Sequence, residues 1–318
     1  MSRPRQAAPA LPSAWHGDRG GHLWPKDREV VLGDGTRVRY AVRGPAEAPW
    51  VVLTPGFLCP DNFWRDLAPE LVRDHRVVMF NHRGIGASSE ATGTALPPGA
   101  EHYTIPRLAD DVAAVLDAEG AATATVLAHS MGVQVSLALW EQRPDLVGGM
   151  VLTAGTPGSP FRTMYGHSTA NYLFPIVSMA VAAAPSALSR RVFRAIELPV
   201  ARPVAVGIRA VAEHTPWTGM TVYRAHLSRV HPRTAIWTAR GMQAHDAVPS
   251  LASITVPTSV IVGTRDGWCP ASVGETMAAR IPEARLEVVP DASHTLPLEH
   301  PDVVLRHLRD VERRAARP

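Results

Sequence analysis

Ser130 stands in "TVLAHSMGVQVSLALW", between a run of strand formers and a run with helical spacing. A serine hydroxyl attacks a carbonyl only when a base takes its proton. Nucleophiles of this kind ride on a sharp strand-to-helix turn flanked by small residues, in the pattern G-x-S-x-G. Here Gly132 fills the second small position and Ala128, the next smallest side chain, fills the first. A serine before a helix is also a common N-cap, so the motif alone leaves nucleophile and cap both open. The chain has 14 histidines, and position must choose a base among them. His129 diverges from its neighbour on such a turn. His294, in "VVPDASHTLPLEHP", follows the last strand-like run. The carboxyl ends of parallel strands share one edge, where ligands bind, so His294 and Ser130 can meet there. A water-exposed loop histidine is the plainer reading of the same residue. The imidazole also needs an orienting carboxylate. Asp266, in "VIVGTRDGWCP", lies 28 residues before His294, room for one helix and one strand. Its other reading is a turn aspartate ahead of Gly267. Asp291 is the rival acid, close to His294 in the same turn.

An oxyanion forming on the attacked carbonyl needs donors already in place. The backbone N–H after the nucleophile, on Met131, is one. The second is expected from the loop after the first central strand, "LTPGFLCPDNFW", where Gly56 lets the backbone turn and the N–H of Phe57 points in. Phe57, Trp64 and Trp268 are candidate pocket walls, with core packing as the alternative for each.

These residues must be held by a scaffold. "REVVLGDGTRVRYAVRG" alternates about a Gly-Asp-Gly turn, a hairpin signal. Six short apolar runs without alternation follow: "WVVLTPG", "RVVMFNHRG", "ATVLAHS", "GMVLTAG", "TSVIVGTRD" and "RLEVVPD". Such runs suit strands buried on both faces of a parallel sheet. "NFWRDLAPELVRD", "IPRLADDVAAVLDAEG" and "GVQVSLALWEQR" have helical spacing, and Gly120 is a helix stop. Strand–helix alternation predicts an α/β fold with a doubly wound, mostly parallel sheet. The rhythm breaks between about Gly155 and His245, which reads as a helical insertion forming a lid. The expected organisation is a flexible tail over 1–26, a core over 27–154 and 246–318, and a helical cap over 155–245.

These marks together resemble the α/β-hydrolase family in its capped, serine-nucleophile branch: "TPGF", "NHRGIGASS", "AHSMG", "GTRDGWCP" and "DASHTLPLEHP". The chain order Ser, Asp, His is also that of the family. The resemblance implies Ser130 as nucleophile, His294 as base, Asp266 as its orienter, and Phe57 and Met131 as oxyanion donors. It implies a structural turn with Arg83, Gly84, Gly86 and Ser88. Asn81 stands where aspartate is commoner, and Pro55 replaces a histidine that often precedes the oxyanion glycine. A serine nucleophile argues against dehalogenase and epoxide hydrolase chemistry and for acyl transfer to water. The insertion is apolar and carries Tyr172, Phe174, Trp217, Tyr223 and Trp237, which favours an uncharged, hydrophobic ester or lactone. Thioesterase, carbon–carbon bond hydrolase and cofactor-free perhydrolase remain open on the same three residues. A small-molecule-binding protein on the same fold is the alternative outside enzymes. An aminopeptidase fits less well, since the lid offers only Glu197 and Glu213 as acidic anchors.

Of 318 residues 46% are hydrophobic, and the formal net charge is +3. Basic residues are scattered along the chain, which reads as solubility and excludes a nucleic-acid footprint. Cys59 and Cys269 have no zinc-type spacing, no phosphate loop occurs, and "RGIGASS" only partly matches a dinucleotide fingerprint, on a turn with no helix after it. No cofactor and no metal is expected; His300 and His307 read as surface histidines with no third ligand nearby. The start lacks a continuous apolar segment, and "YLFPIVSMAVAAAP", broken by Pro175, is too short to span a bilayer. It reads as a buried lid helix, with a membrane-touching lid as the alternative, and the whole as a cytoplasmic protein.

Overall fold

The computed structural model describes residues 24–91, 99–183, 191 and 201–317. Eight strands form one sheet: β1 (Arg28–Val31), β2 (Arg37–Arg43), β3 (Trp50–Thr54), β4 (Arg76–Phe80), β5 (Ala124–His129), β6 (Val147–Thr153), β7 (Thr258–Gly263) and β8 (Arg285–Val289). Their spatial order is β1-β2-β4-β3-β5-β6-β7-β8. β1 and β2 pair antiparallel, as the hairpin signal predicts, and every pairing from β4 to β8 is parallel. The apolar runs are strands because the sheet is covered on both faces. Along β5, Val126 and Ala128 enter one apolar cluster and Leu127 the other.

The first cluster is closed by α1 (Ile105–Ala118) and α2 (Met131–Gln142). Ile105, Leu108, Val112 and Leu116 recur at helical spacing on the buried face of α1. Gly120, at φ +67°, ends that segment. The chain leaves the sheet at Thr153 and returns at Thr258 to the adjacent strand, with Met150 opposite Thr258. Between these points the described residues carry α3 (Thr169–Ala183), α4 (Ala201–Gly207), α5 (Trp217–Leu227) and α6 (Pro232–Ala244), and no strand. This is the helical insertion. α7 (Ala271–Arg280) joins β7 to β8 and adds Met277 and Ala278 to the first cluster. α8 (Pro301–Ala315) closes the second face with Val303, Val304, Leu308 and Val311.

Four expectations are corrected. Ordered packing begins before residue 27: Trp24 joins the second cluster, and Lys26 is buried in an ion pair with Asp61; residues 1–23 of the expected tail lie outside the described residues. "NFWRDLAPELVRD" is a 3₁₀ turn (Asp61–Trp64) and a separate helix (Ala68–Leu71), because Pro69 cannot donate to the preceding turn. "RGIGASS" runs into a short helix over Gly86–Ala91. Finally, α3 does not bury its apolar residues: Tyr172, Leu173, Ile176, Val177 and Met179 are all exposed. Among the described residues no helix is long and apolar enough to cross a membrane.

Candidate active site

Ser130 occupies the single residue between β5 and α2, at φ 56°, ψ −119°. This left-handed backbone is costly for a side chain bearing a Cβ, and the surroundings hold it. The Ser130 N–H donates to Thr153 O at 3.0 Å. A Cβ at Gly132 would lie 2.2 Å from Thr54 O, and one at Gly56 would lie 3.0 Å from Ser130 Cβ. The small residues around the serine are therefore required by close passage of the β3 loop. The Ser130 side chain makes no cap bond to α2. Its Oγ lies 2.9 Å from His294 Nε2.

His294 Nδ1–H donates to Asp266 Oδ2 at 2.9 Å. The other carboxylate oxygen, Oδ1, accepts the backbone N–H of Trp268 and of Cys269, both at 2.8 Å. The aspartate is thus fixed by its own turn, and the turn reading and the orienting role coexist in one residue. Serine, histidine and aspartate come from the ends of β5, β8 and β7, and all three are buried. Asp291, the rival acid, is exposed and gives its N–H to Thr264 Oγ1.

Sequence reasoning passed over three supporting residues. His129 Nε2–H donates to the carbonyl of His294 at 2.8 Å, and its ring stacks on Phe63 at 4.9 Å. Burial, then the neighbouring His294, push its pKa down to about 3, so it is a neutral brace. His82 Nε2–H donates to Pro55 O at 3.2 Å, steadying the loop in which Pro55 has no side-chain hydrogen bond to offer. Burial lowers His82 to about 4. Glu299 grips the residues on either side of His294. Oε2 accepts from Ser293 N at 2.7 Å, and Oε1 accepts from Ser293 Oγ at 2.5 Å and Thr295 Oγ1 at 2.6 Å. Thr215, on the insertion, donates to the same carboxylate. The only sequence signal for Glu299 was its place in "SHTLPLEHP".

Met131 opens α2, where the first N–H groups have no partner within the helix. Phe57 follows Gly56 in the loop that passes Ser130. The segment "NHRGIGASS" packs as expected: buried Arg83 forks onto Asp111 at 2.8 and 2.5 Å and reaches Asp34 at 2.8 Å. Asn81 Oδ1 accepts the Ala87 N–H at 3.3 Å.

A cavity of about 640 Å³ opens onto Ser130 and His294. Its walls are almost wholly apolar and combine core residues such as Phe57 and Leu58 with insertion residues such as Val211, Trp217, Met220 and Leu227. Trp268 lines it, 5.4 Å ring to ring from His294. Trp64 does not line it: its indole is buried in the second apolar cluster with Leu67 and Leu71, beneath His129.

Among the described residues, ligand-type groups meet at two points. Asp266, Cys269 and His294 present donor atoms within 4.8 Å of one another. However, Asp266 and His294 bond each other, and burial pushes the Cys269 thiol up, keeping it protonated. His214 and Glu299 lie beside His300 within the same distance, correcting the expectation that His300 has no third ligand near it. Glu299 has both oxygens committed to Ser293, Thr295 and Thr215.

Comparison with known proteins agrees with this architecture. A family model described as alpha/beta hydrolase fold matches residues 49–174. The chain is 27% identical over 296 residues to "Putative carbamate hydrolase RutD" of Variovorax paradoxus, covering 88% of this chain and 98% of that protein. It is 24% identical over 279 residues to a "Probable esterase" of Oryza sativa subsp. japonica, covering 84% and 94%. Among solved structures, a hydrolase from Pseudomonas aeruginosa superposes with a TM-score of 0.71 at 26% identity, over 90% of this chain and 97% of that one. The sheet order, the strand-to-helix serine and the family-model match together show that the chain has the α/β-hydrolase fold.

Proposed function

We propose that the protein is a serine hydrolase that cleaves an uncharged, largely apolar carboxylic ester or lactone through an acyl-enzyme. The observation that carries the reading is the hydrogen-bonded run Ser130–His294–Asp266 at the end of an apolar cavity. His294 Nε2 takes the Ser130 proton as Oγ attacks the carbonyl carbon, and Asp266 stabilises the imidazolium that forms. The oxyanion is met by the N–H groups of Met131 and Phe57. His294 then returns the proton to the leaving alkoxide, and a water, deprotonated by the same nitrogen, releases the acid. The helical insertion acts as a cap, since Val211, Trp217, Met220 and Leu227 supply much of the cavity wall. The esterase and carbamate-hydrolase names of the two relatives belong to the same class of attack at an acyl carbon. An apolar wall of this extent favours an alkyl or aryl ester.

The test is hydrolysis of p-nitrophenyl esters of increasing acyl length by wild type and by Ser130→Ala. A nitrophenol burst in the wild type that disappears in a folded Ser130→Ala variant is the expected result. Unchanged turnover in that variant overturns the nucleophile. A wild type that binds long-chain esters without turnover, and is not labelled by a fluorophosphonate, would instead be a small-molecule-binding protein.

A further inference from the structure

α3 has its polarity reversed. Its inward face makes polar contacts: Asn171 Oδ1 accepts from Gln243 Nε2 at 2.6 Å, and Ser178 Oγ accepts from Arg240 at 3.2 Å. Between them Phe174 packs on Phe161, 4.4 Å ring to ring. The outward face carries Tyr172, Leu173, Ile176, Val177 and Met179, which are 72, 54, 67, 53 and 66% exposed. A helix on a water-facing surface places such residues the other way round. Five large apolar side chains on one exposed face mark an interaction surface.

Charge identifies what covers it. Residues 155–245 hold ten arginines, no lysine, no aspartate and two glutamates, a formal charge of +8 against +3 for the whole chain. The remainder of the chain is therefore net acidic, at −5. Basic residues are not concentrated there, since ten of 32 fall in 91 of 318 residues; carboxylates are excluded, two of 29. Arg162, Arg191, Arg202, Arg209, Arg229 and Arg233 are exposed. A second copy meeting this one through the same face would set +8 against +8. An apolar helix face on a segment rich in arginine and poor in carboxylates is the arrangement that anionic lipid attracts. The fifteen described residues of α3 reach about 22 Å, short of the ~30 Å hydrocarbon core, a length that suits lying in the interface. Val204 and Ile208 are 51% and 45% exposed and also line the cavity that ends at Ser130.

We propose that the helical insertion docks on an anionic lipid bilayer, with the outward face of α3 entering the headgroup–acyl boundary. The docking does not depend on the hydrolase reading. It is tested by flotation of the full chain with phosphatidylcholine vesicles and with vesicles that also contain phosphatidylglycerol. The expected result is flotation with the phosphatidylglycerol vesicles, released by salt, and little with phosphatidylcholine alone. Ile176→Glu should lower the partition coefficient on the order of tenfold or more, with an unchanged thermal midpoint. Arg162→Glu with Arg233→Glu, which takes the insertion from +8 to +4, should weaken the preference for phosphatidylglycerol, and Ser130→Ala should float like the wild type. No flotation with either vesicle overturns the proposal, as does equal flotation with both. Concentration-dependent dimerisation abolished by Ile176→Glu, without vesicle binding, would assign the face to self-association and overturn it as well.

Discussion

Leu127 and Leu173 are the same side chain in opposite settings. Leu127 lies in β5, three residues before Ser130, with no exposed surface, and shares the second apolar cluster with Val51, Leu53 and Ile261. Leu173 lies in α3 with 54% of its surface exposed. In the core, alternation along a strand decides where a leucine points, because both faces of the sheet are covered by the chain's own helices. In the insertion, helical spacing decides only that apolar residues share a face. Among the described residues none covers the outward face.

The largest effect should fall at the junction of β5 and α2. Ser130→Ala should lower kcat for ester hydrolysis by roughly 10⁴-fold or more, while circular dichroism and the thermal midpoint stay at wild-type values, since the Oγ bonds only His294 among the described residues. A variant that loses activity by unfolding would show the serine as structural and erase the contrast between chemistry and packing at this turn. Next is Leu127→Ala. Truncating a leucine in a filled core costs about 2–5 kcal/mol, to be read as a drop in the urea midpoint at unchanged slope. A cost well under about 1 kcal/mol would mean that the core under the serine is not close-packed.

Glu299→Gln should have a middling effect, and one of a different kind. The amide keeps the size but turns an N–H₂ toward Ser293, Thr295 or Thr215, which are donors to the carboxylate. His294 then loses its two anchored neighbours. A small displacement of a base costs rate far more than binding, so kcat should fall about 10–100-fold with KM nearly constant. Burial pushes the Glu299 carboxyl up, but hydrogen bonds from Ser293, Thr215 and Thr295 outweigh it and leave the pKa below 4.5. The unfolded chain takes up this proton first as pH falls, so the charged form's contribution to stability is whole above about 4.5 and is lost as pH drops through the folded value. The wild type should therefore be more stable than Glu299→Gln at neutral pH, with a gap that narrows below pH 4.5. A gap independent of pH, or a KM effect without a kcat effect, would make Glu299 an ordinary loop anchor.

The legible parts of the molecule share one physical cause. All six apolar runs are strands; five lie inside the sheet, where burial on both faces leaves little room for polar residues, and the sixth, β8, is the edge strand, with Leu286 exposed. Ser130, Asp266 and His294 could be placed because strand ends in a parallel sheet share an edge. Trp64 was misplaced because aromatic size says nothing about which side of a loop faces the cavity. Glu299 was invisible because its grip on Thr215 joins residues 84 apart, a pairing that no periodicity encodes. His82 was read only as part of a packed turn, yet it supports the Pro55 loop. The α3 segment was read as buried from its hydropathy, but hydropathy measures affinity for an apolar neighbour and not the presence of one.

Leu173→Ala makes the smallest prediction and the one most diagnostic of the comparison. With its side chain more than half exposed, truncation should change stability in urea by no more than about 0.5 kcal/mol, against the several lost at Leu127. The substitution can even stabilise the protein in water, since alanine has the higher helix propensity and the lost methyl groups were already hydrated. The same variant measured with phosphatidylglycerol vesicles should lose thermal protection that the wild type gains, because a surface that binds only the folded state stabilises it by mass action. A loss of about 2 kcal/mol without lipid would place Leu173 against the chain's own residues. α3 would then be an ordinary core helix, and the two leucines would not differ in kind.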